Sequence, residues 1–131
     1  IDESYNANPS SVKSSLETLT CIFTNKKGKD EYYRRIAVLG DMLELGVCEI
    51  QEHVNISKFA GLDKIDKIYC VGSRMKKLFD VLPYSKRGLW TETAEEMQHV
   101  LVNKLKSGDI IMIKGSLSMG MKTIVNKLKD I

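Results

Sequence analysis

The sequence predicts an α/β fold, a mostly parallel sheet of about five to six strands covered by helices. Three observations lead there. Short apolar runs alternate with stretches whose apolar residues recur at helical spacing. The runs Ile36-Ala37-Val38-Leu39 and Ile110-Ile111-Met112-Ile113 are continuous, as in strands buried on both faces. Each of these runs then gives way to a glycine-containing turn, Gly40-Asp41 and Lys114-Gly115-Ser116. Strands and helices in alternation build right-handed crossovers and a parallel sheet.

The elements follow in order. Residues 1–8 read as a strand end or loop, and Pro9 suits the first turn of a helix, where its missing N–H costs little. Val12, Leu16, Leu19 and Phe23 then mark a helical inner face that fades in the turn at 26–30. Residues 35–39 are a strand. The spacing predicts a helix over 48–60 with Ile50, Val54 and Ile56 or Phe59 inward, stopped by Gly61. Residues 67–71 form the next strand, and a helix from about 74 to 81 ends before Pro83. Residues 88–90 are a brief strand, and Thr91 or Thr93 caps a helix whose inner face is Ala94, Met97, Val100, Leu101 and Leu105. A strand at 109–113 and a final helix over about 119–129, with Ile124, Val125 and Leu128 inward, complete the pattern.

Composition narrows the function. The chain has 131 residues, 43% hydrophobic and 28% charged, which suits one globular domain, residues 1–131, with a hydrophobic core. Its longest apolar stretches are strand-sized, far short of a membrane span, and no secretory signal is recognisable. The formal charge is only +3, and the tight basic run Lys26, Lys27 and Lys29 reads as a solvated turn. With no aromatic interleaving, nucleic-acid binding has no support. Cys21, Cys48 and Cys70 sit far apart in apolar patterns, which fits reduced, structural thiols. His53 and His99 have no partner at metal-ligand spacing, so no metal site is expected. The start at Ile1 rather than Met reads as a cut from a longer protein.

Ligand sites of open parallel sheets lie at the carboxyl ends of the strands. That rule selects the loops at residues 3–9, 40–46, 72–73 and 114–120. The first, Asp2-Glu3-Ser4-Tyr5-Asn6-Ala7-Asn8-Pro9, combines carboxylates, a phenol and amides. It is suited either to ribose and adenine or to capping the helix behind it. The second, Gly40-Asp41-Met42-Leu43-Glu44-Leu45-Gly46, is either an acid-bearing site loop or a turn whose Met and Leu cover the sheet edge. Lys114-Gly115-Ser116 places a cation and a hydroxyl at a strand mouth. Anion binding near the next helix N-terminus and a lysine snorkelling from the strand end both stand. There is no Gly-x-x-x-x-Gly-Lys-Ser/Thr phosphate loop and no Gly-x-Gly-x-x-Gly after a strand, so this chain alone is not expected to hydrolyse ATP or bind NAD.

Taken together and in order, the Tyr5-Asn6-Ala7-Asn8-Pro9 segment, the Leu39-Gly40-Asp41-Met42-Leu43-Glu44-Leu45-Gly46 segment with His53 following, and Lys114-Gly115-Ser116 resemble the signatures of the C-terminal domain of MurF-type Mur ligases. The resemblance runs over essentially the whole chain and implies a Rossmann-like domain. It implies an enzyme with two further domains absent from this chain. An N-terminal domain holds UDP-N-acetylmuramoyl-tripeptide, and a central domain holds most of the ATP and Mg2+. It also implies a cytoplasmic enzyme, a monomer, that joins D-alanyl-D-alanine to the tripeptide through an acyl phosphate. The domain in hand would close the active site.

Carried onto this sequence, the resemblance assigns Glu3, Tyr5, Asn6 and Asn8 to ATP, with Asp2 as the alternative to Glu3 for the ribose. It assigns Lys114, as a catalytic cation, with Gly115 and Ser116 to the incoming dipeptide, and Asp41 and Glu44 to the cleft between domains. The pattern departs where relatives carry arginine after Lys-Gly-Ser and this chain has Leu117, and where Lys122 replaces a common glutamate. Another cation, such as Lys122 or Arg74, would then hold the dipeptide carboxylate. The equivalent domain of another Mur ligase or of a folylpolyglutamate synthetase is the near alternative, and a non-catalytic binding module the distant one.

Overall fold

A computed structural model describes residues 2–3, 7–25 and 32–129. Among the described residues five parallel strands form one sheet: β1 (Asp2–Glu3), β2 (Arg35–Gly40), β3 (Lys67–Val71), β4 (Arg87–Thr91) and β5 (Ile110–Lys114), in the order β1-β5-β2-β3-β4. β1 is two residues long, so the four strands of five or six residues make the body of the sheet. The expected parallel α/β sheet is therefore observed.

The helices are α1 (Pro9–Cys21), α2 (Glu49–Val54), α3 (Ser73–Val81), α4 (Ala94–Lys104) and α5 (Met121–Lys129). They cover the sheet in two layers. Leu16 and Leu19 of α1, Met75 and Leu78 of α3 and Ile56 pack on Ala37, Leu39, Ile68, Cys70 and Met112. Ala94, Met97 and Leu101 of α4 with Ile124 and Val125 of α5 pack on Ile36, Val38, Val71 and Ile113 on the other face. Alternate residues of each continuous apolar run therefore feed opposite cores, which is why the runs lack polar alternation.

Pro9 begins α1 as expected, behind an N-cap at Asn8. Thr93 rather than Thr91 caps α4, accepting from the Glu96 N–H at 3.2 Å. Four expectations fail. Phe23 does not continue the α1 face: the backbone turns extended at Ile22, the helix is over, and Phe23 is 81% exposed. The helix expected at 48–60 is a short α2 flanked by 3-10 turns at Gly46–Cys48 and Asn55–Lys58. Its inner residues are His53 and Ile56, while Ile50 is 44% exposed. Gly61 lies beyond the last turn at φ −90, outside the left-handed region, so it is no helix stop. Cys70 is buried, but Cys21 and Cys48 are exposed rather than part of the core. The lysine run at 26–29 lies outside the described residues.

Among the described residues no helix is long and apolar enough to cross a membrane.

Candidate functional site

The carboxyl ends of the strands gather the sequence-predicted residues. Glu3 on β1 is in register with Lys114 on β5, and Lys114 in turn with Leu39 on β2. The first and third motifs, more than a hundred residues apart, thus become neighbours in one cross-strand row. Lys114 is 4% exposed, a cation drawn into the mouth of the sheet. Tyr5 and Asn6 lie outside the described residues. Asn8 caps α1: its Oδ1 accepts from the Ser11 N–H at 2.9 Å, and the Ser11 hydroxyl returns the bond to the Asn8 N–H at 3.0 Å. The capping use of this segment is therefore realised at Asn8.

The strand order reverses between β2 and β5, because the loop after β2 leads to α2 on one face and the loop after β5 to α5 on the other. A ligand crevice commonly opens at such a point. Here it is shut. A Cβ on Gly115 would lie 3.1 Å from the Gly40 Cα and 2.6 Å from the Met121 Cγ. These two glycines bring the strand ends together under the Met121 side chain, and the Ser116 N–H donates to the Asp41 carbonyl at 3.2 Å.

Asp41 is 2% exposed. Its Oδ1 accepts from the Met75 N–H at 2.8 Å and its Oδ2 from the Arg74 N–H at 3.3 Å, the free amides in the first turn of α3. The N-cap position of α3 is Gly72, which has no side chain to supply this bond. The neighbouring strand's aspartate supplies it instead. Gly72 stands at φ 104, and any Cβ there would strike the Asp41 carboxylate. Burial, with the nearby Asp41 charge adding to it, pushes the Cys70 thiol up.

Arg74, one of the cations considered for the dipeptide, reaches the Asp41 carboxylate at 3.4 Å and Glu49 at 2.8 Å. The Glu49 hydrogen bond raises its pKa above the ordinary arginine value, with Asp41 adding to it. Arg74 thus braces α2 against α3. Glu44 is exposed at the loop tip in a left-handed backbone, φ 63, followed by Gly46 at φ 70. A non-glycine residue held there costs on the order of 1–3 kcal/mol and often marks a functional turn.

His53 is a residue that sequence reasoning left without a role. It is fully buried. Its Nε2 accepts from the Met42 N–H at 2.9 Å, and its Nδ1 lies 2.6 Å from the Glu49 carbonyl, so the ring is neutral with the proton on Nδ1. One residue on, the Leu43 N–H donates to the Ser116 hydroxyl at 3.0 Å. The loops after β2 and β5 are thereby tied to each other and to α2. Hydrophobic periodicity cannot flag a polar residue on an inner face; the available signals were its position three residues before Ile56 and its place after the Leu39–Gly46 motif. Among the described residues no group of three or more His, Cys, Asp and Glu side chains is placed to hold a metal ion.

Comparison with known proteins adds the following. Residues 1–117 match the family model described as Mur ligase, glutamate ligase domain. The chain is 30% identical over 132 residues to the UDP-N-acetylmuramoyl-tripeptide--D-alanyl-D-alanine ligase of Bacillus subtilis, covering 98% of this chain and 27% of that protein. It is 28% identical to the enzyme of the same name from Rickettsia prowazekii, covering 93% of this chain and 25% of that one. Among solved structures, MurF ligase from Thermotoga maritima in complex with ADP superimposes with a TM-score of 0.74 at 21% identity, over 97% of this chain and 27% of that one. MurF from Acinetobacter baumannii does so with a TM-score of 0.77 at 24% identity, over 98% and 26%. At these identities the superpositions show the fold. The chain spans about a quarter of the length of these relatives.

Proposed function

The chain belongs to the Mur ligase, glutamate ligase domain family, and from that membership we propose that it is the C-terminal domain of a MurF-type ligase. The full enzyme would add D-alanyl-D-alanine to UDP-N-acetylmuramoyl-tripeptide in peptidoglycan synthesis. The named relatives support the choice of reaction, and so do the three loop motifs. The observation that carries it is the register of Glu3 with Lys114 at the carboxyl end of the sheet. That register supports the reading, because the position it assigns to the ribose and the position it assigns to the anionic reaction centre share one cross-strand row.

On this reading the N-terminal and central domains, outside this chain, hold the UDP-sugar peptide, most of the ATP and the Mg2+. The described residues offer no acidic cluster for the ion. ATP converts the tripeptide carboxylate to an acyl phosphate and leaves as ADP. The dipeptide amine attacks the acyl carbon, its proton is removed, and phosphate departs from the tetrahedral intermediate as the amide forms. Glu3, or Asp2 beside it, binds the ribose, and Tyr5, Asn6 and the amide nitrogen of Asn8 face the nucleotide. Lys114 offsets charge developing on the phosphoryl and oxyanion groups, a role in which a buried, preorganised cation is most effective. Gly115 and Ser116 meet the dipeptide. Asp41 acts through the backbone it holds, and Glu44 sits at the interdomain cleft. Closure of the domain keeps water from the acyl phosphate. The enzyme works in the cytoplasm as a monomer, and this domain alone has no ligase activity and at most weak affinity for ATP.

The test is ATP-dependent phosphate release by the full-length protein, which should require the tripeptide and prefer D-alanyl-D-alanine to single amino acids. Lys114→Ala should lower dipeptide turnover more than tenfold, about 1.4 kcal/mol or more of barrier. A preference for a single amino acid would reassign the enzyme within the family, and unchanged kinetics of Lys114→Ala would remove that lysine from the site.

A further inference from the structure

We propose that His53 is a positioning residue for Ser116. Through the loop at 41–43 it fixes the Ser116 N–H and hydroxyl, two residues past Lys114, so the loops after β2 and β5 enter catalysis as one unit. The use of this unit in dipeptide ligation rests on the function proposed above, whereas the mechanical coupling rests on geometry alone.

Glu49, in the first turn of α2, accepts the Nδ1 proton of His53 through its carbonyl, which orients the ring. The only ring nitrogen then able to accept is Nε2, and it accepts from the Met42 N–H. That bond is buried: His53 and Met42 are both fully buried. Met42 sits between the two groups that grip Ser116, namely the Asp41 carbonyl, which accepts from the Ser116 N–H, and the Leu43 N–H, which donates to the Ser116 Oγ. A shift at Met42 moves both. A hydroxyl that accepts a backbone N–H keeps its own hydrogen to donate, so the grip also sets the direction in which Ser116 offers its proton. Second partners of this kind commonly decide whether a site group is held within the tolerance that chemistry needs.

The experiment compares full-length wild type with His53→Ala, His53→Gln, Ser116→Ala and the double variant His53→Ala/Ser116→Ala, all at a temperature where each is folded by circular dichroism. His53→Ala should lower kcat/KM for the dipeptide at least tenfold while the KM for ATP changes less than threefold. His53→Gln, whose Oε1 can still accept from Met42, should recover at least half of the loss on a logarithmic scale. In the Ser116→Ala background, His53→Ala should cost less than threefold, because the group it positions is gone. Amide exchange read by mass spectrometry should rise in His53→Ala in the peptides spanning both 41–46 and 114–117. Equal tenfold losses in both backgrounds overturn the proposal, as does faster exchange confined to 41–46. A wild-type enzyme with no dipeptide ligation but with coupled exchange at both loops overturns the functional reading and leaves the coupling standing.

Discussion

The two ends of the sheet satisfy their buried charges in different ways. At the amino end, Asp109 meets the Arg34 guanidinium edge-on, with bonds of 3.0 and 2.6 Å, and accepts one backbone N–H, from Lys106, while Arg34 also reaches the Lys104 carbonyl. At the carboxyl end, Asp41, His53 and Ser116 are bonded to backbone amides, and the long 3.4 Å contact of Arg74 to Asp41 is secondary. The Asp109 side chain is 4% exposed, while the Arg34 guanidinium, 25% exposed, has solvent as an alternative partner. A buried helix amide has none. The amino end therefore tolerates loss better, while the carboxyl end is held in one arrangement, which is what a site built on that end requires.

The sharpest way to break this contrast is Asp41→Ala. Removing the carboxylate strands two first-turn amides of α3 and deprives the Arg74 side chain of one of its two carboxylate partners. Each stranded buried donor costs about 1–3 kcal/mol, so the loss should be about 3 kcal/mol by urea titration. A loss below about 1 kcal/mol would mean that water or a relaxed α3 replaces the carboxylate, and the carboxyl end would be no more rigid than the amino end.

Next in size is Gly72→Ala, expected to cost about 2 kcal/mol, from left-handed strain and from displacement of the Asp41 carboxylate. The two causes separate in combination. In the Asp41→Ala background the collision is gone, so the same substitution should cost roughly half as much. A full, additive cost would assign the whole effect to backbone strain and detach Gly72 from the acid it cradles.

What the sequence could reveal of this arrangement divides along the same line. The parallel sheet was legible because β2 and β5 are continuous apolar runs, and both of their faces are indeed covered. The start of α1 was legible because Asn8 and Pro9 act locally, within one turn. The gathering of site residues at the strand mouths followed from a rule about parallel sheets rather than from any residue pair. What stayed hidden depends on distant partners. Asp41 is recognisable as an acid in a glycine-flanked loop, yet its oxygens face amides more than thirty residues away. The one local hint was that α3 begins after a glycine and so needs a cap from elsewhere. Phe23 and Ile50 were misplaced because a helical period was carried past the point where the backbone left the helix, or through a segment that is only partly α-helical.

The smallest effect belongs to the amino end, and its pH dependence is the diagnostic. Burial pushes the Asp109 carboxyl up, but the Arg34 hydrogen bonds, the Lys106 N–H at 2.8 Å and the two positive charges outweigh it and hold it below the ordinary carboxylate value. A carboxyl depressed in the folded state stabilises above its unfolded pKa, about 4, and that stability is lost as pH falls through the lower folded value. Asp109→Asn should therefore cost about 1–2 kcal/mol at pH 7, with the partial exposure of Arg34 keeping it at the low end. Below about pH 4 the gap between wild type and variant should close, as protonation removes from the wild type the charge that the variant already lacks. A gap of constant size from pH 7 to pH 3 would show that Asp109 acts through shape and neutral hydrogen bonds. The amino end would then be built like the carboxyl end, and the distinction between the two would rest on Asp41 and His53 alone.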